Sequence, residues 1–279
     1  MSESLKHRVQ QIKNLPTVPV IAQQVLGLIK DDLISVSKLE KIVENDPAIS
    51  AKILSVANSA YFKSKTPTRT LSNAILRIGF NNVRNIALGI SLMTVFDDGK
   101  RGTEFDYHRI FNHSVSVGFT AGMLSQYIRQ DTMGEILING LLHDIGYLIM
   151  NRYFIEDYRK VIEMFEKEGS LLDAEKKVLE FTHAEIGGWL ADKWNLPGTV
   201  SDTIAYHHVP SLAKKNLKYV AVIHIADYIT TRDIFSPTKR DPNYPFDPAS
   251  LEVLGISEND LKEIEAKIAG ENLSKEIFD

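Results

Sequence analysis

The chain has 279 residues and a 44% apolar fraction, enough for one large or two small domains with a sizeable core. Its net charge is −4, with acids and bases interspersed, so it has no basic stripe and nucleic-acid contact is not indicated. It contains no cysteine, which rules out a disulfide framework and a thiolate metal site and leaves His, Asp and Glu as the available metal ligands.

The N-terminal MSESLKHRVQ lacks the apolar core of a signal peptide. No apolar run approaches the roughly 20 residues that cross a bilayer. Both features point to a cytoplasmic protein without membrane association. Along the chain the pattern is helical almost throughout. Val18, Ile21, Val25 and Ile29 stand at helical spacing and predict a helix over 18–30. Asp46 followed by Pro47 reads as an N-cap and a proline at the first helical position, opening a helix that carries Ile49, Ile53, Leu54 and Val56. The next helix runs from Leu71 through Ile75, Ile78, Val83, Ile86 and Ile90, with a break expected at Gly79. The polar, Gly-containing run 97–106 is the best internal boundary. Helical patterns then follow at 106–129, 133–148, 152–167, 171–180, 182–194, 199–208 and 216–231. The segment 236–248 holds four prolines and reads as a loop, and a short amphipathic helix over 257–269 closes the chain. Alternating strand patterns with hairpin turns are absent, so the fold class is all-α.

The histidines carry the chemical information. His113, His143 and His183 lie in apolar helical context, where His is not a usual filler. His143 is followed by Asp144 at the end of an apolar helix, and Asp227 lies on another apolar helix. His207 and His208 end a helix just before Val209-Pro210, since the residue before proline disfavours the helical region. Within a helix two adjacent side chains diverge by about 100°, so this pair converges only where its helix ends. Taken singly, each has a plain reading: a core His bonded to a carbonyl, or an Asp serving as a cap. His7 and His108 read as ordinary surface residues. His224 precedes Asp227 by three positions and shares its helix face, with packing the favoured role. As a set the residues read differently, because several buried imidazoles and two carboxylates without partners would be costly. Gathered round divalent cations they satisfy one another, and imidazole with carboxylate suits iron, manganese, nickel or zinc. A carboxylate can bridge two such ions, which together would clamp a phosphate and activate a water.

The order His113, His143-Asp144, His183, His207-His208, Asp227 resembles the ligand order of the HD superfamily. It is closest to the HD-GYP branch, whose members hydrolyse cyclic di-GMP. The matching pieces are NHS, HDIG, THAEIGGWLADKW, HH and ADYI, across residues 105–231. The N-terminal half is more specific. LPTVPVIAQQVLGLI, ISVSKLEKIVENDPAISAKILSVANSAYF and RTLSNAILRIGFNNVRNIALGISL, over residues 14–95, are similar to the HDOD domain, a bacterial helical signalling or regulatory module. The resemblance implies a two-lobed helical bundle. An HDOD-specific lobe would cover 1–105, an HD-like lobe 106–235, and a Pro-rich loop with a C-terminal helix 236–279. It also implies two divalent ions bridged by Asp144. His113, His143 and Asp227 would complete one site, and His183, His207 and His208 the other.

The chain departs from both patterns. Many HDOD domains have lost the HD ligands, and here every position is kept. After HDIG stands Tyr147, where HD-GYP enzymes place a lysine that meets the substrate phosphate. After His207-His208 comes VPSLAKK in place of the glutamate and the Gly-Tyr-Pro loop, and the stretch to Asp227 is short. The expectation is a non-catalytic signalling protein that keeps an HD-type metal site and answers to a partner protein or small ligand. The alternative is a metal-dependent phosphohydrolase acting on nucleotides or cyclic di-GMP. An iron-based sensor of redox state or of a diatomic gas is a third reading.

Overall fold

The computed structural model describes residues 3–10, 12, 14–29, 36–58, 66–96, 107–128, 133–231 and 244–270. The first half holds α1 (Glu3–Gln10), α2 (Val20–Ile29), α3 (Val36–Glu44), α4 (Pro47–Ala57), α5 (Leu71–Ile78) and α6 (Phe80–Thr94). The second holds α7 (Tyr107–Tyr127), α8 (Met133–Leu142), α9 (Ile145–Tyr153), α10 (Ile155–Glu168), α11 (Leu171–Leu179), α12 (His183–Lys193), α13 (Gly198–Tyr206), α14 (Leu217–Thr230), α15 (Ala249–Leu254) and α16 (Glu258–Gly270). A single 3-10 turn, Pro210–Leu212, joins α13 to α14. There is no strand among the described residues, so the fold is all-α.

Local sequence explains most of the boundaries. The helix expected from Val18 begins at Val20, because Val18 precedes Pro19 and is pushed out of the helical region. The Pro19 carbonyl takes the first helical bond, from the Gln23 amide. Gly79 separates α5 from α6 with φ at 86°, a conformation open to glycine and costly for other residues. At α4 the Asp46 carboxylate accepts from the amides of Ala48 and Ile49 at 2.9 and 3.1 Å. Replacing Asp46 with Ala should therefore lower unfolding stability by about 1 kcal/mol and leave metal content unchanged. Loss of metal at an unaltered melting temperature would contradict this purely structural role.

The run 133–148 was expected as one helix, and the structure divides it. α8 stops at Leu142, and α9 begins only at Ile145. Phe154, with φ at −132°, then parts α9 from α10. Helices α1, α3 and α15 lie outside the helices expected from the sequence, although α3 buries Leu39, Ile42 and Val43 at helical spacing. The boundary segment 97–106 and most of the Pro-rich segment lie outside the described residues, and residues 244–247 have no regular structure.

One continuous apolar cluster extends from Ala22 to Ile204, so the helices before and after 97–106 share a core. Polar contacts reinforce that contact. Trp194 donates its indole N–H to the Pro16 carbonyl at 3.0 Å, Tyr153 its hydroxyl to Asn14 at 3.1 Å, and Arg8 pairs with Asp157. A second apolar cluster packs α14, α15 and α16 against α7 through Ala221, Ile225, Leu254, Leu261 and Ile264.

Candidate metal centre

Three helices and two helix-end turns deliver the expected ligands to one place. His113 lies a third of the way along α7 and Asp227 near the end of α14. The other five residues stand at helix ends. His143 and Asp144 form the turn between α8 and α9, His183 opens α12, and His207 and His208 follow the last residue of α13. The adjacent pair converges there because its helix has finished. Glycines let these helices approach backbone to backbone. A Cβ on Gly140 would lie 2.3 Å from Gly118 Cα, where α8 crosses α7. A Cβ on Gly146 would lie 1.9 Å from the His183 carbonyl oxygen, where α9 meets α12.

All seven residues are buried. Asp144 sits at the centre. Its Oδ2 is 3.6 Å from His113 Nε2 and 3.2 Å from His143 Nε2, while its Oδ1 is 3.3 Å from His183 Nε2 and 3.6 Å from His207 Nε2. Asp227 Oδ1 is 3.1 Å from His113 Nε2 and 3.8 Å from His143 Nε2. His183 Nε2 lies 3.3 Å from His207 Nε2 and 2.9 Å from His208 Nε2. Donor atoms close enough to share an ion form three overlapping groups: Asp144 with His183, His207 and His208; Asp144 with His113 and His143; and Asp227 with His143 and His207. Asp144 occupies an N-cap position, where an aspartate ordinarily bonds the first amides. Here its side chain makes no cap bond and faces the imidazoles instead.

The outward nitrogens decide which way each ring points. His143 Nδ1 meets the Gly140 carbonyl at 2.7 Å and His207 Nδ1 the Ile204 carbonyl at 2.9 Å. A carbonyl only accepts, so both Nδ1 atoms carry hydrogen, and in the neutral rings Nε2 is a bare lone pair aimed inward. His183 Nδ1 meets the Glu175 carboxylate at 2.9 and 3.0 Å, and its backbone amide donates to the same carboxylate at 2.9 Å. This carboxylate–histidine arrangement is the usual support of a metal-binding imidazole. The inward nitrogens of His183, His207 and His208 lie 3.3 Å or less apart, close enough to share one ion. Among the described residues, His113 Nε2 and His143 Nε2 have no hydrogen-bond partner although both are buried. The donor set and the unpartnered nitrogens together fit divalent transition metal.

Electrostatics agree. Burial alone would raise the Asp144 carboxyl, but the imidazoles of His143, His183 and His207 hold it well below the carboxylate range. Asp227 behaves alike, held down against burial by His113 and His143. Burial pulls His143 down, yet Asp144 and then Asp227 carry it well above the ordinary imidazole range. For His183 burial is outweighed by Glu175 and Asp144, which raise it to about 9. Burial dominates at His207 and His208 and lowers both, aided by the neighbouring imidazoles. The carboxylates thus stay ionised and draw positive charge into the cluster.

Two histidines stand apart from it. His7 is exposed on α1. His224 shares a helix face with Asp227 but turns elsewhere: its Nδ1 donates to the His207 carbonyl at 2.6 Å, and its Nε2 accepts from the Asp247 amide at 2.9 Å. The side chain of His108 lies outside the described residues. Glu175 was not anticipated, though a signal existed. It lies on α11 in register with Leu171, Ala174 and Val178, a carboxylate on an apolar stripe. Tyr147 is buried with its ring stacked on His183, centroids 3.9 Å apart.

Comparison with known proteins gives a consistent picture. The HDOD domain profile matches residues 15–210. An uncharacterised protein of Treponema pallidum is 26% identical over 202 residues, which are 71% of this chain and 38% of that protein. The chain therefore spans less than half the length of that relative. Three solved structures share the fold. An HDOD domain protein of unknown function from Geobacter sulfurreducens superposes with a TM-score of 0.80 at 23% identity, covering 99% of this chain and 97% of that one. A candidate signal transduction protein from Marinobacter aquaeolei gives 0.74 at 21%, covering 96% and 62%. A candidate phosphohydrolase from Shewanella amazonensis gives 0.73 at 21%, covering 98% and 96%.

Proposed function

The chain belongs to the HDOD domain family, and from that premise we propose that it is a regulatory protein built round a His/Asp metal centre and without phosphodiesterase activity. His113, His143, Asp144 and Asp227 would hold one ion, and Asp144, His183, His207 and His208 a second. The two oxygens of Asp144 face the two halves, which supports a bridging role. Iron, manganese, nickel and zinc all suit such donors. A bound pair would polarise a phosphoryl oxygen and lower the pKa of a coordinated water.

The observation that carries the non-catalytic half is the placement of Tyr147. Cleaving a phosphodiester needs positive charge or donors where negative charge develops on the phosphoryl oxygens. Tyr147 lies flat on His183 inside the core. Burial, then Glu175 and Asp144, push its hydroxyl well above the ordinary phenol range, so it is uncharged at working pH. Among the described residues no lysine or arginine is buried, and Lys214 and Lys215, beyond the adjacent histidines, are exposed. The signal passed on would go to a partner protein or arise from a small ligand.

The intact ligand set favours a second reading, a metal-dependent phosphohydrolase. Losing one electrostatic contact at the transition state typically costs a factor of about 10² to 10³, so the two readings differ measurably. With manganese or ferrous iron loaded, cyclic di-GMP should turn over at no more than a trace rate. Robust turnover that vanishes in Asp144→Ala would replace the regulatory reading with the hydrolase.

A further inference from the structure

The seven cluster residues are not equally enclosed. His143, His183 and His207 are 0% exposed, whereas His113 keeps 7%, His208 8%, Asp144 4% and Asp227 3%. What solvent contact the cluster keeps therefore falls on His113, His208 and the two aspartates. Tyr244 touches two of these four. Its hydroxyl donates to Asp227 Oδ2 at 2.6 Å, and its ring centroid lies 5.3 Å from that of His208. Asp227 belongs to one half of the cluster and His208 to the other, so this single side chain spans both.

The residues that follow hold Tyr244 in place. The Asp247 carboxylate accepts from the Ser211 amide at 2.8 Å, and the Asp247 amide donates to His224 Nε2 at 2.9 Å. Phe246 packs on the rings of His224 and Tyr228 at 5.4 and 4.7 Å. Tyr244 itself is only half-buried. It does not fill the core, and its hydroxyl is committed to a carboxylate of the cluster.

We propose that Tyr244 is a plug: it occupies the approach to the metal centre, and a small phosphoryl anion reaches that centre only when Tyr244 withdraws. This rests on the metal-centre reading above. An oxyanion meeting the ions must come past the residues that keep some exposure, because His143, His183 and His207 are sealed in the core. While the Tyr244 hydroxyl is bonded to Asp227, the ring stands in that path. The apparent affinity for an anion is then reduced by the fraction of molecules in which the plug is open.

The test is a calorimetric titration of inorganic phosphate into manganese-loaded parent protein, Tyr244→Phe and Tyr244→Ala, with metal per chain and melting temperature measured on each. Metal content should be equal in all three. Phosphate should bind about tenfold more tightly to Tyr244→Ala than to the parent, with Tyr244→Phe between them. Equal or weaker phosphate affinity in Tyr244→Ala, at equal metal content, overturns the plug and leaves the metal centre standing. Loss of metal in Tyr244→Ala alone makes Tyr244 a support for Asp227 and likewise overturns the plug. Absence of metal from all three overturns the reading beneath it. Should Tyr244→Ala fail to fold, Tyr244→Phe decides: phosphate affinity no better than the parent's, at equal metal content, rejects the proposal.

Discussion

Replacing Asp144 with Ala should strip metal from both halves of the cluster, while His183→Ala should empty one half and leave the other loaded. The asymmetry follows from position. Asp144 Oδ2 lies within reach of His113 and His143, and Oδ1 within reach of His183 and His207, so no ion held by either half escapes its loss. His183 reaches Asp144 Oδ1, His207 and His208, all in the second half. His113, His143 and Asp227 keep their own contacts when it is removed. Asp144→Asn, which keeps the shape and loses the charge, should behave like Asp144→Ala. Protons compete with metal for the same inward nitrogens, so loading should weaken as pH falls and release protons when it occurs. The measurement is elemental analysis of protein purified without chelators. A parent protein free of transition metal, or an Asp144→Ala variant with full metal content, would sink the metal-centre reading.

Much of the helical frame could be read from short-range signals, because its causes are short-range. Asp46 caps the amides two and three residues on, Pro47 has no amide to lose, and Gly79 adopts a φ that other residues avoid. The seven candidate ligands stood out for a different reason: imidazoles in apolar helices need partners, and the order of these residues resembles that of the HD superfamily, which is what implied that they meet. The break at His143-Asp144 was hidden. LINGLLHDIGYLIM is apolar on both sides of it, and periodicity does not register an aspartate that gives up capping to face a neighbouring helix. His224 fits the packing role favoured for it. Spacing places it beside Asp227, yet the His207 carbonyl and the Asp247 amide, 17 residues before it and 23 after, claim its ring. Glu175 and Tyr244 act through contacts made only in the folded chain. Glu175 at least carried a local sign, as a carboxylate in an apolar stripe. Tyr244, in an irregular segment, carried none.

A single added methyl at Gly146 should be among the most disruptive changes in the molecule. Its Cβ would lie 1.9 Å from the His183 carbonyl oxygen, 2.6 Å from the His183 carbonyl carbon and 3.0 Å from its Cα. These are backbone atoms of the first residue of α12, already held by the Glu175 carboxylate at the amide. They cannot rotate aside as a side chain could. α12 must therefore move away from α9 as a body, and it carries His183 with it. Overpacking at such a site costs about 3 kcal/mol or more, and for a chain of this size each kcal/mol lowers the melting temperature by about 2–4 °C. Gly146→Ala should accordingly melt about 6–12 °C below the parent, if it folds at all. The contrast is Gly27, exposed on α2, whose added Cβ meets nothing within 4 Å. Alanine there should raise stability by about 0.5–1 kcal/mol, since glycine in a helix interior loses more backbone freedom on folding. Thermal unfolding of the two variants side by side checks both signs. A Gly146→Ala protein that melts with the parent would mean that α9 and α12 do not meet backbone to backbone, and the placement of His183 beside Asp144 would fall with that contact.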